Sequence, residues 1–124
     1  MKLGQFEITP FEKDIFVTVL ASRNYDDDAT IGDYFILNKE KDNLHDDEAI
    51  IAADFDIEES EDLADIIEVD EEDARYVANS VNTVARGTYS AGRLYDKFNK
   101  NLVVKVIFAV HGVFICEVMG ELTE

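Results

Sequence analysis

DEEDARYVANSVNTVARG, residues 70–87, has the spacing of an amphipathic helix. Ala74, Val77, Ala78, Val81, Val84 and Ala85 recur at three- and four-residue intervals and form one apolar stripe. Asp70 is placed to cap the N-terminus, Arg86 falls in the last turn and Gly87 is positioned to end it. Glu71, Glu72 and Asp73 support the reading, since an acid in the first turn gains about 0.3–1 kcal/mol from the helix dipole. A helix from Glu71 to Arg86 needs a surface on which to pack its stripe, and the flanking sequence supplies strands. The expected class is α+β.

Upstream, Ile15, Val17, Val19 and Ala21 share one strand face and Phe16, Thr18 and Leu20 the other, which suits a strand covered on both sides. Pro10 is expected to end an earlier short strand over Gln5 to Ile8, as an edge or hairpin partner. Asp33 to Leu37 reads as a strand. Ala49 to Glu58 fits strand or helix; as a strand it buries Ile51, Ala53, Phe55 and Ile57 and turns Asp54, Asp56 and Glu58 to solvent. Ser60 to Val69 has helical spacing through Leu63, Ile66 and Ile67, with Ser60 as cap. Arg93 to Asn99 reads as a short helix pairing Leu94 with Phe98. At the C-terminus, Leu102, Val104, Val106, Phe108 and Val110 line one face of a strand, His111-Gly112 makes a turn, and Val113 to Leu122 returns with Cys116 in the core. The sum is one domain over 1–124, an antiparallel sheet of four to six strands with two or three helices on one face and a C-terminal hairpin.

The charge is unevenly spread. Residues 40–73 hold 17 of the 28 acids and a single base, Lys41, so this stretch carries −16 of the net −17. It also holds 13 apolar residues, which a solvated acidic tail lacks because it has nothing to bury. Asp42 to Glu48 reads as a polar link, and Glu71 to Asp73 partly serve a helix start. What remains is a strand face of Asp54, Asp56 and Glu58 leading into a helix face of Glu61, Asp65 and Glu68. With Glu59, Asp62, Asp70 and Glu72, these residues are the candidate partner-binding surface.

Several chemistries find no support. Asp26, Asp27 and Asp28 resemble the start of a calcium loop, but its sixth and twelfth positions are Ile31 and Leu37 instead of Gly and Glu. His45 has no Cys or second His at ligand spacing. Asp54, Asp56 and Glu58 have the oxygen chemistry for a divalent cation, yet the solvent face of a strand explains them as well. Gly87 to Gly92 lacks the Lys-Ser/Thr of a phosphate loop, having Arg93-Leu94 there. With two His and one Cys and no matching motif, an enzyme is not expected, and no cofactor or metal is implied. No apolar run approaches the roughly 20 residues of a membrane span. The opening MKLGQFEITPFEKD lacks the apolar core of a secretory signal, so the expected location is cytoplasmic.

A pI near 4.2 repels nucleic acid and anionic membranes and favours a basic partner. If Glu58 to Asp73 is mostly helical, it spans about 24 Å and bears roughly one negative charge per 2.4 Å, near the one per 1.7 Å of duplex DNA. In size and charge distribution the chain is similar to the small acidic inhibitors of phages and plasmids that mimic DNA, including anti-restriction and anti-CRISPR proteins. The resemblance implies a non-enzymatic inhibitor that occupies the basic groove of a nucleic-acid-binding protein, such as a host defence nuclease. An alternative is an acidic adaptor docking on a basic patch without competing with nucleic acid.

Overall fold

The computed structural model describes residues 2–3, 6–10, 14–21, 29–39, 49–54, 75–80, 82–98, 101–110 and 112–123. Its strands are β1 (Lys2–Leu3), β2 (Phe6–Pro10), β3 (Phe16–Leu20), β4 (Tyr34–Lys39), β5 (Ile50–Asp54), β6 (Arg75–Val77), β7 (Asn101–Val110) and β8 (Val113–Thr123). The one helix among the described residues, α1, covers Ala91–Tyr95. All strand-to-strand pairings are antiparallel and run β1-β2-β8-β3-β6-β5-β4-β7, with β7 also joined to β8. That last pairing closes six strands, β3-β6-β5-β4-β7-β8, into a barrel, with β1 and β2 appended along the far half of β8.

The expected α+β architecture is therefore wrong: the sheet closes on itself, and among the described residues α1 is the one helix, so no row of helices packs on one face of an open sheet. The error lies in 70–87. Arg75, Tyr76 and Val77 form a strand between β3 and β5, with Val19↔Val77, Leu20↔Tyr76 and Ala52↔Arg75 as partners. The polar residues that follow take the backbone bonds a helix would need. Ser80 Oγ accepts from Asn82 N at 3.2 Å, Thr83 Oγ1 donates to Ser80 O at 3.1 Å, and Ala85 N donates to Thr18 Oγ1 at 3.0 Å. Thr88 Oγ1 donates to Ala85 O at 2.7 Å, fixing the turn that leads to α1. The helical spacing of the valines and alanines was real in sequence but was overridden by these bonds and by two waiting strand edges.

A short helix does form near the expected place, but it covers Ala91–Tyr95 instead of Arg93 to Asn99, so Phe98 lies beyond its end. Ser90 caps α1 by accepting from Arg93 N at 3.2 Å, and Leu94 and Phe98 are both buried. The readings at 22–28, 40–48 and 55–74, including the Ser60 to Val69 helix, lie outside the described residues. Among the described residues no helix is long and apolar enough to cross a membrane.

A barrel of six strands has room inside only for side chains. Val17, Val19, Phe35, Leu37, Ile50, Ala52, Leu102, Val104, Val106 and Cys116 fill it with no exposure, and Ala91 and Leu94 of α1, with Phe98 just beyond it, pack on the same core. Fully burying a Val, Leu, Ile or Phe side chain is worth about 1.5–3 kcal/mol.

The C-terminal hairpin is as expected in its strands, with Val110 paired to Val113; of the expected turn Gly112 takes φ 78, and His111 lies outside the described residues. Its faces are not. The register of β7 against β8 shifts between Val106 and Phe108, leaving Ile107 as an extra residue. One extra residue turns every later side chain over, so Phe108 and Val110, expected inside, stand 53% and 44% exposed. A second shift, between Val103 and Val104, leaves Met119 extra on β8. Beyond it Leu122 shares the outer face with its partner Ile8, and both are buried. Here β2 comes close: a Cβ on Gly120 would overlap Thr9 O and lie 2.8 Å from Ile8 Cγ2. Gly120→Ala is expected to lower stability by about 1–3 kcal/mol through overpacking, read as a lower urea midpoint with unchanged slope.

Candidate partner-binding site

β5 runs up to Asp54 and β6 starts at Arg75 beside it. Ile50 and Ala52 point into the core, so by strand alternation Asp54 and the partner of Ala52, Arg75, face inward at the rim. This reverses the expected faces of the strand, in which Ile51 and Ala53 were inside and Asp54 outside. Ala53 is buried too, but on the outer face, paired with the equally buried Ile36.

Arg75 is 7% exposed. Its guanidinium lies 4.6 Å from the centre of the Phe35 ring and 6.0 Å from that of Phe114, and the two rings meet edge-on at 5.6 Å. Nη1 donates to Asp54 Oδ1 at 2.9 Å, and the Asp54 side chain is 74% exposed. A planar, weakly hydrated guanidinium suits this position, because it can stack on rings and still bond a carboxylate at the water's edge. The ion pair itself is worth little with its acid in solvent, about 0–1 kcal/mol. The packed arginine stem and its ring contacts carry more. Beneath it, burial pushes the Cys116 thiol from its ordinary 9.0 up to about 12, with the charge of Arg75 acting weakly the other way. Cys116 is thus a core thiol, as expected.

Between Asp54 and Arg75 the chain runs through 55–74, twenty residues with 11 acids and no base. Asp56, Glu58, Glu59, Glu61, Asp62, Asp65, Glu68, Asp70 and Glu72 belong to this connection and lie outside the described residues. Asp54 is the one candidate residue within them. The fold brings both ends of the connection onto neighbouring strands at one mouth of the barrel, where partnered Cα atoms are about 5 Å apart. A charge of −11 is therefore anchored at that mouth by both its ends.

The opposite mouth is closed by α1. Lys39 Nζ donates to Phe98 O at 2.6 Å and lies 4.4 and 4.7 Å from the centres of the Tyr95 and Phe98 rings. Arg93 stacks on Tyr89 at 4.0 Å, with Lys97 at 5.8 Å. Three described cations thus gather at the end away from 55–74, although the connection 40–48 there has five acids and one base. Sequence reasoning missed Arg75, the residue that pins the acidic connection. Its signal was its isolation: it is the lone base between Lys41 and Arg86, directly after the acidic run.

No protein-family model, curated protein or solved structure shows significant similarity to this chain.

Two outcomes follow from the mouth. Arg75→Ala should cost about 2–5 kcal/mol, as for other large-to-small changes in a core, whereas Asp54→Asn should cost less than about 1 kcal/mol; urea unfolding of both variants checks the contrast. For Cys116 the folded state holds its proton to higher pH than the unfolded chain. Its contribution is therefore full below about 9 and lost as pH rises toward about 12. The stability difference between wild type and Cys116→Ala should shrink over that window, and the native thiol should react with a disulfide reagent at pH 8 only as fast as the protein unfolds.

Proposed function

We propose that this protein is a non-enzymatic inhibitor whose acidic connection, 55–74 with Asp54 at its root, occupies the basic groove of a nucleic-acid-binding protein by imitating phosphate charge. The observation that carries the reading is the concentration of 11 acids and no base in a connection whose two ends meet at one barrel mouth. A rigid base shortens the search among conformations that a free acidic tail would have to make on binding. It also directs the charge, so that a basic groove attracts this end of the molecule first. The cations of the other mouth, Lys39, Arg93 and Lys97, are already engaged with rings and a carbonyl, so they oppose this steering little. The expected location is the cytoplasm, where such partners work, and no cofactor takes part.

Crowded carboxylates repel one another, so added salt should stabilise the free protein and weaken its complex. Its melting temperature is expected to rise between about 50 and 500 mM salt; a flat profile would contradict a crowded acidic surface. Asp65→Lys with Glu68→Lys should abolish partner capture while the circular dichroism spectrum is unchanged. Competing duplex DNA should release the captured partner. A partner that stays bound with DNA present would instead mark the protein as an acidic adaptor.

A further inference from the structure

We draw no further inference here: the strongest candidate, the exposed apolar patch of Ile107, Phe108 and Val110 beside the tip of the β7–β8 hairpin, carries nothing because nothing among the described residues shows what covers it.

Discussion

Closing a sheet of only six strands leaves an interior that side chains must fill completely, and the rest of this structure follows from that limit. Small and medium residues such as Val17, Val19, Ala52 and Val104 occupy the middle. The two open ends are each closed by a cation laid on aromatic rings, Arg75 on Phe35 and Phe114 at one and Lys39 on Tyr95 and Phe98 at the other. A long cationic stem covers apolar surface while its charged head meets water or a carbonyl, so it suits a rim better than a purely apolar plug would. Closure also removes the edges that β3 to β8 would otherwise present, leaving β1 as the outer strand of the appended pair.

The legible parts of the chain were those where periodicity and burial agree. Ile15 to Ala21, Asp33 to Leu37 and the C-terminal pair are apolar runs of strand length bounded by polar or turn residues, and they became β3, β4, β7 and β8. Residues 70–87 misled because their valines and alanines satisfy a helical period equally well, while the competing bonds come from Ser80, Thr83 and Thr88 and from a hydroxyl at Thr18, some seventy residues away from Thr88. A three-residue strand such as Arg75–Val77 is too short to announce itself and exists because β3 and β5 leave a gap for it. Bulges at Ile107 and Met119 are likewise invisible in sequence, since they depend on how a partner strand curves.

The candidate site divides in the same way. Its charge was written in the composition, and so was the range from Asp54 to Asp73. What sequence could not supply was its attachment: that Asp54 and Arg75, at its two ends, lie on neighbouring strands and are joined by an ion pair at one mouth of the barrel. A charge run gains direction only from the frame that holds it, and here the frame is a closed barrel with a fixed mouth.

Because the acidic connection leaves and returns on adjacent strands, its length is decoupled from the geometry of the barrel. Lengthening such a connection costs only about 0.6 kcal/mol for each doubling, and no strand has to move to accommodate it. The barrel frame therefore sets where residues 55–74 begin and end without fixing how many residues lie between. Selection can rewrite the charge pattern, the size and the reach of that part while the core residues stay as they are. A lineage under pressure to follow a changing partner would find this the least expensive place in the chain to vary.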